Sequence, residues 1–230
     1  MVRVVDLSLD IYDGAPTFAP DPETSVVAHL RIPDLGYNIS RLSMSTHFGT
    51  HLDAPFHFFD EGETVEHLDL RLGFGPAVVV DLRHKQRNEE ILIRDLERNA
   101  PRLGSGARVI LHTGWDQHYP EPHYFSDQPY IGLDACGWLV EQGISTVAMD
   151  MPTIYPGEYI KAHHLLLGAK ILVIEGLARL DQLTSDDVIL LALPLRIRGR
   201  DGSPCRAVVL EPDDAAEWET LQGLLANMQV

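Results

Sequence analysis

Residues 47–59 read HFGTHLDAPFHFF, and they bring His47, His51, Asp53 and His57 into a span of eleven positions. All four side chains occupy odd positions, so an extended backbone would project them to the same side. A helix would separate them instead, because Asp53 would lie about 200° around the helix axis from His51. The spacing therefore predicts extended structure with four polar side chains on one face.

A straight strand cannot bring all four side chains to one ion. From residue 47 to residue 57 it would be about 33 Å long, whereas ligand bonds to a metal are about 2 Å. The segment must bend, and Gly49 and Pro55 stand where glycine or proline permits a bend. If His47 and His51 stood alone, they could be two unrelated histidines, because a spacing of four residues also arises by chance. The full set, placed among phenylalanines, predicts a metal or catalytic site. These phenylalanines are Phe48, Phe56, Phe58 and Phe59.

The composition excludes several classes of protein. The 230 residues are 45% hydrophobic and carry a formal net charge of −16, which disfavours nucleic acid and anionic membranes as partners. No apolar run approaches the roughly 18 residues of a membrane span, and the start MVRVVDLSLD does not resemble a signal peptide. A cytoplasmic location is expected. Cys136 and Cys205 form no CxxC pair, so nitrogen and oxygen ligands are expected for any metal.

Apolar β-branched runs alternate with helical patterns, which predicts an α/β fold in one domain spanning residues 1–230. A β-rich N-terminal part extends from Val2 to Leu72 and precedes a mixed central sheet flanked by helices. The stretch Trp115–Tyr130 is predicted to be a long loop that serves as a lid or an oligomer contact. The predicted strands are Arg3–Leu7, Ala77–Leu82, Val109–Leu111, Thr146–Met149, Ile171–Ile174, Val188–Leu193 and Ala207–Leu210. The predicted helices are Ile93–Arg98, Leu133–Gln142 and Ala162–Leu167.

A second cluster of polar side chains follows at residues 161–176, KAHHLLLGAKILVIEG. It contains His163, His164 and, at the end of a strongly apolar strand, Glu175. The carboxyl ends of strands in α/β sheets face the crevices where ligands bind. Glu175 is therefore a candidate site residue, although a solvated glutamate at a strand end is the alternative.

These residues resemble the cyclase family of metal-dependent hydrolases, which includes bacterial kynurenine formamidases and isatin hydrolases. The family motif HxGTHxDxPxH is complete from His47 to His57. Three further blocks are similar to the family: residues 148–156 (AMDMPTIYP), 163–177 (HHLLLGAKILVIEGL) and 195–210 (LRIRGRDGSPCRAVVL). The resemblance covers nearly the whole chain and implies a swivelling β/β/α-like fold.

The resemblance to kynurenine formamidases implies a site for Zn²⁺. His47, His51 and Asp53 would bind the first ion, Asp53 would bridge, and His163 with Glu175 would complete the second. His57 would be the general acid/base, a role that suits an imidazole because its pKa is ordinarily near ~6.5. Isatin hydrolases imply one Mn²⁺ instead, so the number of ions and the choice of metal stay open. The spacing from histidine to glutamate in the family implies His163 as the ligand and leaves His164 either as a packing residue or as one that orients a ligand.

The implied reaction is the hydrolysis of a small amide, an arylformamide such as N-formylkynurenine, by metal-activated water. The alternatives are isatin-hydrolase-like opening of a cyclic amide or lactone, a polyketide-type cyclase, and a non-catalytic module that binds a metal or a small acid. Phe18 stands where kynurenine formamidases carry a tryptophan, which weakens the assignment of N-formylkynurenine. An aromatic or cyclic amide is the expected substrate class, and a homodimer or homotetramer is the expected assembly. The predicted pocket walls are Phe18, Phe58, Phe59 and Tyr155.

Overall fold

A mixed sheet of eight strands organises the protein, for which a computed structural model describes residues 1–226. The strands of this sheet are β1 (Val2–Asp6), β4 (His51–Asp53), β5 (Phe74–Asp81), β7 (Arg108–His112), β9 (Thr146–Met149), β10 (Leu172–Glu175), β11 (Asp187–Pro194) and β12 (Gly202–Pro212). Two small sheets pair β2 (Ser25–Leu30) with β3 (Ile39–Ser43), and β6 (Glu90–Ile91) with β8 (Tyr130–Ile131). The helices are α1 (Ile32–Leu35), α2 (Ile93–Leu96), α3 (Leu133–Glu141), α4 (Tyr159–Gly168) and α5 (Ala215–Ala226).

The large sheet closes into a barrel. Its strand order is β1-β12-β11-β5-β7-β9-β10-β4, and β4 also pairs with the beginning of β12. The central strands β5, β7, β9 and β10 are parallel. At the two ends of this group, β11 pairs antiparallel with β5 and β4 pairs antiparallel with β10, and β12 pairs antiparallel with both β11 and β4. Closure leaves β4 paired on both edges, with Asp53 opposite Val173 on one side and opposite Gly202 on the other. This short strand is therefore held firmly at the closure of the barrel.

The central strands are apolar on both faces because each face packs against a different core. In β5, Val79 belongs to the cluster inside the barrel, while Val78 and Val80 belong to the cluster under the helices. Ile110 in β7 and Ala148 in β9 face the inside in the same way. Continuous apolar runs of this kind are expected of strands covered on both sides. The prediction of an α/β fold with a mixed, helix-flanked sheet is confirmed.

The predicted elements agree with the structure apart from their ends. The helix predicted at Ala162–Leu167 extends over Tyr159–Gly168. The helix predicted at Ile93–Arg98 is α-helical only as far as Leu96, after which a 3-10 helix continues from Glu97 to Arg102. Pro101 lies inside this tighter segment, where its ring and its missing N–H disfavour an α-helix.

The N-terminal part is β-rich as predicted, since α1 is its only α-helix and has four residues. The long segment Trp115–Tyr130 contains two 3-10 helices, Trp115–His118 and Pro122–Phe125. It is anchored by the buried Trp115, whose Nε1 donates a hydrogen bond to the Tyr124 carbonyl at 2.8 Å. Cys136 and Cys205 are both free thiols. Within residues 1–226, no helix has the length and apolar character needed to cross a membrane.

Candidate metal centre

The segment from His47 to His57 bends at the two predicted positions. Gly49 has a φ of +65°, a left-handed conformation that glycine adopts without strain. The chain then forms β4, which places His51 and Asp53 on the same face of the strand. Pro55 opens a 3-10 helix that ends at His57 and turns this last side chain back toward the others. The bends bring the four side chains together.

Asp53 lies at the centre of the site and is almost completely buried. Its Oδ1 is 2.8 Å from Nδ1 of His47 and 3.5 Å from Nε2 of His51. Its Oδ2 is 3.3 Å from Nε2 of His163, which α4 supplies from the other side of the site. The two oxygens of one carboxylate therefore face two separate sets of histidines.

Glu175 completes the second set from the last position of β10. This strand pairs with β4 so that Glu175 lies opposite His51. Its Oε1 is 3.3 Å from Nε2 of His163, and its Oε2 is 3.5 Å from Nε2 of His51. The backbone N–H of Ile154 donates a hydrogen bond to Oε1 at 3.2 Å and fixes the carboxylate. Asp53, His163 and Glu175 offer ligand atoms that all lie within 4.8 Å of one another.

Three histidines of the centre, His47, His51 and His163, each have one ring nitrogen hydrogen-bonded to a group outside the centre. Nδ1 of His51 donates to the carbonyl of Gly49 at 2.9 Å, and Nδ1 of His163 donates to the carbonyl of Tyr159 at 2.7 Å. His47 uses the opposite nitrogen, since its Nε2 lies 2.7 Å from Oδ2 of Asp201. Histidines that bind metals commonly donate their other N–H to a carbonyl or carboxylate. The remaining nitrogens all face the carboxylates.

The donor atoms present fit a divalent metal ion. Asp53 and Glu175 are buried carboxylates, and in the described part of the chain neither is paired with a lysine or an arginine. Oδ2 of Asp53 is buried and accepts no hydrogen bond within residues 1–226. Burying such an atom costs free energy unless a partner compensates for it. Imidazole and carboxylate are ligands for zinc and other divalent ions, so a metal would supply that partner.

The histidines of the centre differ in pKa, because carboxylates lie closer to some of them than to others. Burial opposes the charge on His47, but hydrogen bonds to Asp201 and Asp53 outweigh it and raise the pKa of His47 to about 10. Burial likewise opposes the charge on His163, and the nearby carboxylates of Asp53 and Glu175 outweigh it and raise its pKa to about 10. Burial lowers the pKa of His51 to about 4. The protein groups alone therefore attract positive charge into the centre.

His57 lies beside this centre and is held differently. Its ring stacks on the ring of His47 with the centroids 3.8 Å apart. Its Nδ1 is 4.0 Å from Oδ2 of Asp201, and no hydrogen bond within residues 1–226 engages either ring nitrogen. Burial lowers the pKa of His57 to about 4, so the ring is neutral near pH 7. His47, Asp53 and His57 also form a group whose ligand atoms lie within 4.8 Å of one another.

A cavity of about 240 Å³ opens next to the histidines and Glu175. Among the four residues proposed as pocket walls, Phe18 and Phe58 line this cavity, and Asp21 and Tyr159 line it as well. Phe59 and Tyr155 lie outside this lining, because Phe59 stacks on His164 and Tyr155 stacks on Tyr130. Phe18 belongs to the same chain as the histidines that it faces.

Two further residues contact the centre, and no local sequence pattern predicts a role for them. Asp201 contacts His47, and the next residue, Gly202, is packed so closely that a Cβ there would lie 2.7 Å from Cε1 of His47. Both belong to the run RGRDGSPCR that carries part of the family resemblance. His164 is exposed and its Nε2 lies 3.3 Å from the carbonyl of Phe58, in agreement with a packing role.

Comparisons with known proteins agree with this geometry. The profile of the Cyclase family, described as "Putative cyclase", matches residues 5–155. The kynurenine formamidase of Geobacillus thermodenitrificans is 34% identical over 209 residues, covering 89% of this chain and 96% of the relative. The kynurenine formamidase of Erythrobacter litoralis is 33% identical over 216 residues, covering 93% of this chain and 96% of the relative.

Solved structures give the same result for the fold. Isatin hydrolase A from Labrenzia aggregata, bound to benzyl benzoate, superimposes with a TM-score of 0.81 and 26% sequence identity. The superposition covers 91% of this chain and 93% of that one. A structure described as a potential metal-dependent hydrolase with cyclase activity has a TM-score of 0.79 and 27% identity, and covers 93% of this chain and 100% of its own.

Proposed function

The chain belongs to the Cyclase family, and on this basis we propose that its metal centre hydrolyses an arylformamide such as N-formylkynurenine. The kynurenine formamidase relatives and the isatin hydrolase neighbour support a metal-dependent hydrolase that cleaves a small amide. The observation that carries the proposal is the placement of Asp53, whose two carboxylate oxygens face different histidines. A shared carboxylate of this kind suits a site for one or two ions.

The ligand assignment follows from the donor atoms. We assign His47, His51 and Asp53 to a first ion, and Asp53, His163 and Glu175 to a second. Zn²⁺ is the proposed metal, with Mn²⁺ as the alternative, because nitrogen and oxygen donors accommodate both ions. The ring of Phe58 stacks on that of His163, with the centroids 4.5 Å apart, and limits the access of water to this ligand.

His57 is the proposed general acid/base. A divalent ion in this centre would polarise a substrate carbonyl and lower the pKa of a water molecule. His57 is neutral near pH 7, and its Nδ1 is turned toward Asp201, which leaves Nε2 to accept a proton from that water. Nε2 would then return the proton to the leaving amine, since an unprotonated amine is a poor leaving group. The lack of hydrogen bonds at this ring within residues 1–226 leaves it free for both transfers.

The neighbouring cavity is proposed to hold the aromatic part of the substrate. Phe18 and Phe58 supply apolar walls at its edge, and ring packing of this kind prefers edge-to-face or offset contacts. Phe59 and Tyr155 remain proposals as substrate-binding residues, although their rings stack elsewhere. The volume of about 240 Å³ suits a small aromatic or cyclic amide.

Opening of a cyclic amide is the second candidate function, and the structural likeness to an isatin hydrolase favours it. It uses the same metal centre and the same proton carrier on a lactam or a lactone. Ring-closing chemistry of the polyketide type and a non-catalytic binding site for a metal or a small acid have no separate support in the site. Both would become the better explanations if hydrolysis failed.

Assembly into a homodimer or homotetramer is also proposed. The β2–β3 hairpin and α1 carry large apolar side chains exposed to solvent, including Ile32, Leu35, Ile39 and Leu42. Exposed apolar side chains gathered on one segment of the surface are typical of contacts with another protein. Light scattering of the purified protein gives the molar mass that checks this proposal.

The test of the function is turnover of N-formylkynurenine and of isatin by the zinc-loaded, manganese-loaded and chelator-treated protein. We expect hydrolysis of the formamide that disappears with chelation and returns when the metal is restored. Turnover of isatin alone would select the cyclic-amide reaction. Failure to hydrolyse either compound in the presence of bound metal would overturn the proposed function.

A further inference from the structure

We propose that Asp201 is a positioning residue for the metal centre, because its carboxylate holds His47 with Nδ1 turned toward Asp53. This inference rests on the proposed function. Nε2 of His47 lies 2.7 Å from Oδ2 of Asp201, and Nδ1 of the same ring lies 2.8 Å from Oδ1 of Asp53. The two nitrogens point in diverging directions, so Asp201 occupies the side of the ring that faces away from the ion site.

The backbone fixes Asp201 next to the centre. Its carbonyl accepts a hydrogen bond from the N–H of Ala54 at 2.8 Å, and the following residue, Gly202, pairs with Asp53 across β12 and β4. Oδ2 also accepts a hydrogen bond from the hydroxyl of Thr46 at 3.1 Å. The carboxylate is thus held from two sides, and its side chain is 32% exposed.

The physical effect is a choice between the two ring nitrogens. A neutral imidazole carries one proton, and only the unprotonated nitrogen can bind a metal. A carboxylate beside Nε2 favours the proton at that atom and leaves the lone pair at Nδ1. Without the carboxylate, His47 keeps its stacking contact with His57 and the approach of its Nδ1 to Oδ1 of Asp53. The Asp53 carboxylate alone would favour the proton at Nδ1, which is the nitrogen that must stay unprotonated to bind an ion.

The arrangement makes His47 different from the other two ligand histidines. His51 and His163 donate from Nδ1 to backbone carbonyls, so both present Nε2 to the centre. These two rings are oriented by the backbone, whereas His47 depends on a side chain supplied from a distant part of the chain. Replacing Asp201 therefore affects one ligand and leaves the other two in place.

The experiment measures zinc affinity and histidine tautomers in the full-length protein. Zinc affinity is obtained by competition with a chromophoric chelator for the wild type, Asp201→Ala and Asp201→Asn. Asp6→Ala is the matched control, because Asp6 has a side-chain exposure of 34% and pairs with Arg206 and Arg179 away from the centre. Ring ¹⁵N spectra of the zinc-loaded proteins report which nitrogen of each histidine carries the proton.

We expect Asp201→Ala to weaken binding of the first ion, which His47 would hold, by about 10- to 100-fold, the usual effect of removing such a hydrogen-bond partner. Asp201→Asn should recover part of this loss, because its amide oxygen can still accept from Nε2 of His47. Asp6→Ala should bind zinc like the wild type. In the wild-type spectrum, one ligand histidine should carry its proton at Nε2 and two at Nδ1, and the first signal should be lost in Asp201→Ala.

Two results would overturn the inference in different ways. Unchanged zinc affinity in Asp201→Ala together with an unchanged His47 signal would show that Asp201 does not position the ring, and would leave the metal centre intact. Failure of the wild type to bind zinc or manganese would overturn the proposed function and, with it, any role of Asp201 toward an ion. A general loss of structure in Asp201→Ala would alter all three histidine signals, whereas a positioning role alters that of His47.

Discussion

Glu175 and His51 lie directly opposite each other on the paired strands β10 and β4, with Oε2 of the glutamate 3.5 Å from Nε2 of the histidine. This pair joins two motifs that are more than a hundred residues apart in sequence. The strand pairing alone sets their separation, because residues opposite each other in an antiparallel pair hold their side chains close together. The pairing of β10 with β4 thus brings the two motifs of the candidate metal centre together.

Replacement of Glu175 by glutamine should abolish binding of the second proposed ion and leave binding of the first. Glutamine keeps the shape of the side chain, and its carbonyl oxygen can still accept the hydrogen bond from the N–H of Ile154. The amide is a weaker metal ligand than the carboxylate, so the zinc content should fall from two ions to one per chain. Elemental analysis of the dialysed protein measures this change. Loss of both ions, or retention of both, would contradict the ligand assignment.

Replacement of Gly202 by alanine should disturb His47. The added Cβ would lie 2.7 Å from Cε1 of His47 and 2.8 Å from the carbonyl oxygen of Leu52, so the ring or the strand must move. We expect a loss of about 1–3 kcal/mol in the free energy of unfolding, as for other overpacked sites, together with weaker zinc binding. Urea denaturation and chelator competition measure the two effects.

Gly137→Ala provides the control for this substitution. Gly137 lies within α3, and a Cβ there would meet no atom within 4 Å. Alanine favours a helix over glycine by about 0.5–1 kcal/mol, so this variant should be as stable as the wild type or more stable. Equal stability of Gly202→Ala and Gly137→Ala would contradict the close packing of Gly202 against His47.

Asp150 should make the protein less stable as the pH rises from about 4 to about 7. Burial raises the pKa of this carboxyl from 3.8 to about 7, although Thr113 and Gly114 donate hydrogen bonds to it. The folded chain therefore keeps this proton at pH values where the unfolded chain has released it, and stability falls as the pH rises. A shift of this size corresponds to at most about 4 kcal/mol.

Asp150→Asn isolates this contribution from that of the other titrating groups. An asparagine oxygen can still accept hydrogen bonds from the backbone N–H groups of Thr113 and Gly114. Between pH 4 and pH 7, the free energy of unfolding of the wild type should therefore fall relative to that of the variant. Urea denaturation at several pH values gives this difference. A constant difference over the range would show that Asp150 does not titrate there.

Phe18 should contribute to substrate binding more than to turnover. Its ring lines the cavity and meets Phe125 edge to face, with the centroids 6.3 Å apart. Aromatic contacts of this kind contribute about 0.5–1.5 kcal/mol, so Phe18→Ala should raise KM roughly three- to tenfold with little change in kcat. Phe18→Trp should restore most of the binding. Steady-state kinetics with N-formylkynurenine measure both constants, and an equal loss in kcat would assign Phe18 a different role.

The sequence predicts most of the candidate centre because its candidate ligands lie in short motifs. The odd spacing of His47, His51 and Asp53 indicates extended structure, and the strand β4 confirms it for His51 and Asp53. The bend at Gly49 is also confirmed, since its φ is +65°. Periodicity and local residue chemistry are enough for such features, because each depends on neighbouring residues alone.

The remaining features depend on contacts between distant parts of the chain. Asp201 meets His47 only because β12 pairs with β4, and local pattern contains no signal for that pairing. The residues that line the cavity are likewise not predictable from local sequence pattern. Phe59 and Tyr155 are aromatic residues close to the motifs in sequence, but their rings stack on His164 and Tyr130 and lie outside the cavity lining.

The most direct test of the account is the zinc content and the turnover of N-formylkynurenine, measured on the same samples of wild type and His57→Ala. In the proposed mechanism His57 transfers protons and binds no metal ion. This mechanism predicts unchanged zinc content and a loss of turnover of about 100-fold or more. Loss of zinc in His57→Ala would make His57 a ligand together with His47 and Asp53, whose atoms lie near enough for this. That result, or full turnover in the variant, would contradict the account.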